Sequence, residues 1–109
     1  RDIIHVAVDF PEAEQNAPII IKIIDMKFSE LKFKELPDLA GIYCRLQFEN
    51  GYGASIVKHQ YSYGGDKGLY ELAIFKDGEI CYDTPITDDV IGYLRPEDVT
   101  DVMAKIQQL

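Results

Sequence analysis

The sequence has no tryptophan, and its 109 residues include only two cysteines (Cys44 and Cys81) and two histidines (His5 and His59). Two cysteines cannot form the framework of several disulfides that stabilises small secreted domains. We therefore expect two reduced, buried thiols and a cytoplasmic protein. Neither histidine belongs to a cluster with the ligand spacing of a metal site, so the sequence predicts neither a metal nor a cofactor.

Basic residues and long hydrophobic runs are also scarce. Lys and Arg number 11 against 19 Asp and Glu, which gives a formal net charge of −8. Proteins that bind nucleic acid generally, or an anionic membrane surface, need a basic surface, so this composition disfavours both as direct partners. No run reaches the roughly 20 apolar residues that span a bilayer, and we expect no membrane partner.

The negative charge is concentrated towards the C-terminus. Residues 1–76 carry a net charge of −2, and residues 77–109 carry −6. Solvated carboxylates and acidic residues at a helix start explain such a run. The other interpretation is a surface for an electropositive partner, or a mimic of nucleic-acid phosphates. On that interpretation the candidate partner-binding carboxylates are Asp83, Asp88, Asp89, Asp98 and Asp101.

Alternating or β-branched apolar residues predict strands in most of the chain. The predicted strands are Ile3–Phe10, Pro18–Phe28, Ile42–Glu49, Tyr52–Tyr61, Leu69–Lys76 and Glu79–Asp83. Ser29–Leu39 fits either a short capped helix or a strand. Gly64–Gly68 is interpreted as a flexible connection, and Thr87 as the cap of a short turn through Tyr93.

Two hairpins are predicted from turn residues. Asn50-Gly51 is a strong turn signal, but the register that follows it is ambiguous. A two-residue turn pairs Leu46 with Ser55. We favour a three-residue loop with Gly51 left-handed, for which we expect Leu46 to pair with Ile56, because this keeps Ile56 on the apolar face. In the second hairpin, which turns at Asp77-Gly78, both faces are apolar, so we expect it to be covered on both sides.

The helix prediction is clearest after Pro96. Proline suits the first turn, acidic residues follow it, and Val99, Val102, Met103, Ile106 and Leu109 form one apolar stripe. The predicted fold class is α+β: a five- or six-stranded, mainly antiparallel sheet with a C-terminal helix packed on one face. We expect a single domain over residues 1–109, with residues 1–41 as an extension on a 42–109 core.

No residue pattern is typical of a catalytic site. The aspartates at 83, 88 and 89 lack the alternating ligands and central glycine of a calcium loop. The serine in Gly51–Ser55 does not lie between the glycines, as a nucleophile elbow requires. Gly64–Gly68 has a lysine but not the spacing of a phosphate-binding loop. The sequence therefore predicts a protein that is not an enzyme.

The segment Gly51–Tyr70 is unusual in composition, because it holds five of the eight glycines and four of the seven tyrosines. Tyrosines beside glycines are typical of binding loops. A long hairpin with aromatic cross-strand pairs explains the same composition. On the first interpretation the candidate partner-binding tyrosines are Tyr52, Tyr61, Tyr63 and Tyr70.

Part of the chain, roughly residues 46–94, resembles a known group of proteins. The runs FENGYGASIV, YSYGG, GLYELAIF and DGEICYDTPITDDVIGYL are similar to those of small uncharacterised accessory proteins encoded by tailed bacteriophages. The resemblance implies no activity, cofactor or catalytic residue. It implies a protein-binding module that modulates or inhibits a host or defence protein in the bacterial cytoplasm. The alternative is a structural, self-assembling homodimer that buries the second apolar face of the Asp77-Gly78 hairpin.

Overall fold

Seven strands and one α-helix make up the described part of the molecule. The computed structural model describes the backbone of residues 19–21 and the whole of residues 26–109. The elements are β1 (Ile19–Ile21), β2 (Lys34–Leu36), β3 (Gly41–Phe48), β4 (Tyr52–Lys58), β5 (Tyr70–Lys76), β6 (Glu79–Ile80), β7 (Ile91–Leu94) and α1 (Pro96–Ile106). The α+β class, with a mainly antiparallel sheet and a C-terminal helix against one face, is confirmed. The predicted strand Ile3–Phe10 and part of the predicted strand Pro18–Phe28 lie outside the described residues, whereas Ile19–Ile21 within the latter is a strand.

The three long strands β3, β4 and β5 form the antiparallel centre of the sheet. Two short strands lie along each outer side. On one side β1 pairs with β3 in parallel and β2 pairs with it antiparallel. On the other side β6 and β7 both pair antiparallel with β5. The sheet is therefore five strands wide, with two short strands sharing each edge.

The loop between β3 and β4 has the predicted length but not the predicted pairing. Glu49, Asn50 and Gly51 separate the strands, and Gly51 is left-handed with φ of 90°. Leu46 pairs with Ala54, and Ile56 pairs with Cys44, so the expected pairing of Leu46 with Ile56 was wrong by two residues. A shift of two keeps every side chain on its predicted face, because side chains alternate with a period of two.

The second hairpin has the predicted two-residue turn. Asp77 and Gly78 both have positive φ, 53° and 85°, as a type I′ turn requires. Phe75 pairs with Ile80. The return strand β6 ends at Ile80 rather than at Asp83.

Both faces of the sheet centre are buried, as the apolar faces of the second hairpin predict. On one face α1 covers side chains of β3, β4 and β5, and this core contains Leu46, Phe48, Ile56, Leu72, Ile74, Val99, Met103 and Ile106. The opposite face has a smaller core of Leu36, Tyr43, Val57, Ala73 and Phe75. Strand β5 contributes to both cores.

The segment before β2 joins α1 on the same face. Phe28 to Glu30 form a 3-10 turn, and the strand alternative for Ser29–Leu39 is realised only over Lys34–Leu36. The Phe28 N–H donates to Thr100 Oγ1 of α1 at 2.9 Å. The rings of Phe28 and Phe33 pack against Tyr70, with centroids at 4.9 and 5.6 Å. Residues 26–33 and α1 together cover this part of the sheet.

The chain between β6 and α1 contains a strand that the sequence did not predict. Ile91–Leu94 pairs with the start of β5, instead of continuing a turn through Tyr93. Thr87 Oγ1 accepts the Asp89 N–H at 3.1 Å, so this threonine stabilises a bend rather than a helix start. Helix α1 begins at Pro96, as predicted. Within the described residues, no helix has the length and apolar character needed to cross a membrane.

Candidate functional site

The connection between β4 and β5 is built from local hydrogen bonds. The His59 N–H donates to Ser62 Oγ at 2.9 Å, and the Tyr61 N–H donates to His59 Nδ1 at 3.1 Å. A 3-10 turn follows at Gly65–Lys67, and the Leu69 N–H closes it on the Gly64 carbonyl at 2.9 Å. The prediction of a flexible connection at Gly64–Gly68 is therefore corrected: this backbone is held by specific hydrogen bonds.

Strand β7 lies directly against this connection. The Tyr93 N–H donates to the Tyr63 carbonyl oxygen at 3.2 Å. A side chain at Gly64 would meet Tyr93 Cα at 2.9 Å and Leu69 Cβ at 3.0 Å, so only glycine permits this approach. Tyr63 and Tyr93 thus come together from segments 30 residues apart, and Tyr61 lies two residues before Tyr63 in the chain. We call Tyr61, Tyr63 and Tyr93 the tyrosine surface.

Two members of the tyrosine surface are the exposed large hydrophobic side chains of the described chain. Tyr61 is 68% exposed and Tyr93 is 56% exposed, whereas Tyr63 is half-buried. Tyr93 also has φ of 58°, in the left-handed region. That conformation costs an ordinary residue about 1–2 kcal/mol, so an exposed aromatic ring is held here at a cost to stability.

The other two candidate tyrosines lie elsewhere. Tyr70 is 8% exposed, and its ring packs in the aromatic cluster with Phe28 and Phe33, so it is not available to a partner. Tyr52 begins β4, whereas Tyr61 follows its end, a separation of roughly 20 Å along the strand. The Tyr52 ring lies beneath Lys76, whose Nζ is 4.7 Å from its centroid. We therefore leave both out of the site.

The candidate carboxylates have different surroundings. Asp83 accepts a hydrogen bond from Cys81 Sγ at 3.0 Å, and Asp89 accepts the Val90 N–H at 2.7 Å. Asp98 accepts two hydrogen bonds from the Arg95 guanidinium, at 2.9 and 3.1 Å, and this arginine lowers the pKa of the Asp98 carboxyl. Asp88 and Asp101 are exposed.

Acidic residues of the last third of the chain lie at both ends of β5. Asp77 and Glu79 lie at the turn beyond the end of β5. Asp98 and Asp101 lie in the first half of α1, which begins beside the start of β5, since Leu94 pairs with Tyr70. The two groups are therefore separated by the length of β5, roughly 20 Å. This dispersion favours a solvated surface over a mimic of nucleic-acid phosphates.

The two cysteines are not joined to each other. Cys44 is buried, and burial raises the pKa of its thiol to about 11. Cys81 is half-buried, and its hydrogen bond to the Asp83 carboxylate raises the pKa of its thiol. Both shifts reduce the thiolate fraction at neutral pH, which is the opposite of what a nucleophilic cysteine needs. The described residues contain no group of three or more side chains that could hold a metal ion.

An open cleft of about 530 Å³ lies beside the tyrosine surface, at the end of the sheet. Glu35, Lys58, His59 and Gln60 contribute to its walls, and Gln60 precedes Tyr61 in the chain. Glu35 is exposed, whereas the imidazole of His59 is almost fully buried. The Lys58 ammonium is turned towards the Tyr70 ring, 5.0 Å from its centroid.

The sequence did not identify Tyr93 or Glu35 as members of the site. Tyr93 is outside the Tyr/Gly-rich segment, and its proximity to Tyr63 depends on the pairing of β7 with β5. Glu35 approaches Gln60 because β2 pairs with β3, which in turn pairs with β4. The one available signal was Gly92, because a glycine in a strand often marks the close approach of another segment.

Comparison of the chain with protein-family models, with curated proteins and with solved structures found no match.

Proposed function

We propose that this protein is a protein-binding module that contacts its partner through the tyrosine surface. The observation that carries the proposal is the pair of exposed rings at Tyr61 and Tyr93, held on a hydrogen-bonded backbone. Tyrosine offers a large contact area with few rotatable bonds, so little entropy is lost on binding. A backbone already held in the binding conformation lowers that loss further.

The strain at Tyr93 supports the same proposal. Glycine or asparagine adopts a positive φ at a lower cost than tyrosine does. A left-handed aromatic residue with more than half of its side chain exposed gains little burial in return. Strained residues of this kind cluster at functional sites, where the surrounding structure maintains them.

We propose that the partner is a host or defence protein of an infected bacterium, bound in the cytoplasm and modulated or inhibited there. The support is the resemblance of residues 46–94 to small bacteriophage accessory proteins, together with two cysteines that are not joined in a disulfide. The acidic surface of the last third of the chain is proposed to speed the approach of the partner rather than to supply contacts.

The test is a capture experiment from a bacterial lysate with three immobilised forms of the chain. They are the wild type, the double variant Tyr61→Ser with Tyr93→Ser, and the single variant Tyr52→Ser as a control at a half-buried tyrosine outside the tyrosine surface. Far-UV circular dichroism verifies that all three are folded. We expect the wild type and the control to retain the same protein at physiological salt, and the double variant to retain at most about a tenth of it. Equal retention by all three forms would contradict the proposal.

A further inference from the structure

Resting on the function proposed above, we infer that the tyrosine surface recognises an arginine-rich basic segment, with the rings of Tyr61 and Tyr93 stacked against guanidinium groups and Glu35 as a carboxylate partner in the adjacent cleft. Two other tyrosine rings of the described chain each carry a lysine ammonium, and a carboxylate lines the cleft beside the site.

The chain places its own cations over tyrosine rings at two positions. Lys76 Nζ lies 4.7 Å from the Tyr52 ring centroid, and Lys58 Nζ lies 5.0 Å from that of Tyr70. Both distances are within the roughly 6 Å over which a ring attracts a cation. Among residues 26–109, no lysine or arginine lies over the ring of Tyr61 or Tyr93. The Tyr61 ring meets the His59 imidazole at an angle of 77°, with centroids 6.4 Å apart, yet both tyrosines are more than half exposed and can receive a cation from another molecule.

The charges around the tyrosine surface favour a cation. Arg95, two residues after Tyr93, forms ion pairs with Glu97 and Asp98. Its Nη1 lies 3.4 Å from Glu97 Oε2, and its Nε lies 2.9 Å from Asp98 Oδ2. Lys67 directly follows Asp66 in the sequence, so this dipeptide adds no net charge. Asp98 and Asp101 lie in α1, which begins three residues after Tyr93, so carboxylates stand on this side of the molecule and disfavour an anionic partner.

The cleft beside Tyr61 supplies a carboxylate for the same ligand. Glu35 is exposed on its wall, and none of the described residues forms an ion pair with it. The lysine that also lines the cleft, Lys58, is directed towards Tyr70. Arginine suits such a site better than lysine, because its planar group stacks on an aromatic ring while its N–H groups reach a carboxylate.

The experiment measures the affinity of nona-arginine and of nona-lysine, by calorimetry at moderate salt, for the purified chain and its variants. Replacing both Tyr61 and Tyr93 by leucine keeps the apolar area but removes the aromatic rings. We expect this double variant to bind nona-arginine about fivefold or more weakly than the wild type. The matched double phenylalanine variant keeps the rings and is expected to bind within about twofold. Nona-lysine is expected to bind more weakly than nona-arginine.

A second pair of variants tests the contribution of the Glu35 carboxylate. Glu35→Gln is expected to weaken the binding of nona-arginine more than Glu79→Gln does, because Glu79 is also exposed but lies on β6 near the other end of the sheet. If the double leucine variant binds nona-arginine as tightly as the wild type, attraction by net charge alone explains the binding and the inference is wrong. If that variant binds nona-arginine normally but no longer captures the protein from the lysate, the tyrosine surface is still a protein-binding site. Only the inference of an arginine-rich partner is then rejected.

Discussion

At Tyr93 the backbone has φ of 58° and more than half of the side chain is exposed. The same residue donates its N–H to Tyr63 and packs closely on Gly64. The contact between the β4–β5 connection and β7 therefore depends on individual residues, among them Tyr93 and Gly64. Gly64 is the most demanding of them, because it combines φ of 86° with close neighbours.

Gly64→Ala and Gly68→Ala form a matched pair that isolates this close approach. Both glycines have positive φ, 86° and 76°, so alanine carries a backbone cost of about 1–2 kcal/mol at each. A side chain at Gly68 meets no atom within 4 Å, whereas one at Gly64 meets Tyr93 and Leu69. We expect Gly64→Ala to lower the free energy of unfolding by about 1–3 kcal/mol more than Gly68→Ala, as measured with urea. Equal losses would show that the tyrosine surface does not depend on this contact.

At the scale of elements, the first turn of α1 is held by a reciprocal hydrogen-bonding arrangement. The Asp98 N–H donates to the Arg95 carbonyl oxygen at 2.9 Å, and the Arg95 N–H donates to Asp98 Oδ2 at 3.0 Å. The Arg95 guanidinium adds two charge-assisted hydrogen bonds to the same carboxylate. These contacts satisfy groups at the helix start and set the chain direction between β7 and α1.

This arrangement predicts a pH-dependent contribution to stability. Because hydrogen bonds from Arg95 lower the pKa of Asp98 from its ordinary value of 3.8, the carboxylate stabilises the folded state at neutral pH. The contribution is present above that ordinary value and is lost as the pH falls through the lowered native pKa. We therefore expect Asp98→Asn to be less stable than the wild type at pH 7, with a difference that shrinks in acid.

Urea unfolding at a series of pH values measures that difference. Glu97→Gln is the control, since the Glu97 carboxylate is exposed and lies 3.4 Å from Arg95 Nη1. Its effect is expected to be smaller at every pH, as is usual for exposed ion pairs. A difference for Asp98→Asn that stays constant from pH 7 to strongly acidic pH would rule out the proposed role of the carboxylate.

Elements with a regular local pattern could be predicted from the sequence, and those that depend on distant partners could not. Strand β3 alternates cleanly, α1 has an apolar stripe after Pro96, and Asp77-Gly78 suits its turn type, so all three were found. Strand β7 has only four residues, and its extended conformation depends on pairing with β5. The register of the first hairpin was wrong by two residues, because either pairing keeps Ile56 on the apolar face.

At the scale of the whole molecule, the sheet buries both of its faces within one chain. Ala73 and Phe75, on the face opposite α1, are 0% and 7% exposed. The alternative hypothesis of a homodimer relied on a second chain to cover this face of the hairpin. Because this face is already covered within one chain, we expect no dimer to form through it.

Sedimentation equilibrium tests this consequence directly. We expect the mass of one chain at all concentrations in the micromolar range. The double leucine variant of Tyr61 and Tyr93 is a useful control, since it distinguishes association through the tyrosine surface from association through the sheet. A mass of two chains that persists in this variant would restore the self-assembling alternative.

The candidate site was predicted in part. Tyr61 and Tyr63 belong to a Tyr/Gly-rich segment whose composition is visible in the sequence, and both lie in the site. Composition does not distinguish an exposed ring from a buried one, which is why the buried Tyr70 was among the candidates. Tyr93 could not be assigned without the topology, because its contact with the site joins two segments 30 residues apart.

The most direct test of the central claim is amide hydrogen exchange on the chain with and without the protein that it captures. We predict that the partner slows exchange at residues 61–64 and 92–93, where the tyrosine surface is formed. The Asp77-Gly78 turn, at the opposite end of β5, should exchange at the same rate in both samples and serves as the internal reference. Slower exchange confined to that turn, with none at the tyrosine surface, would contradict the account.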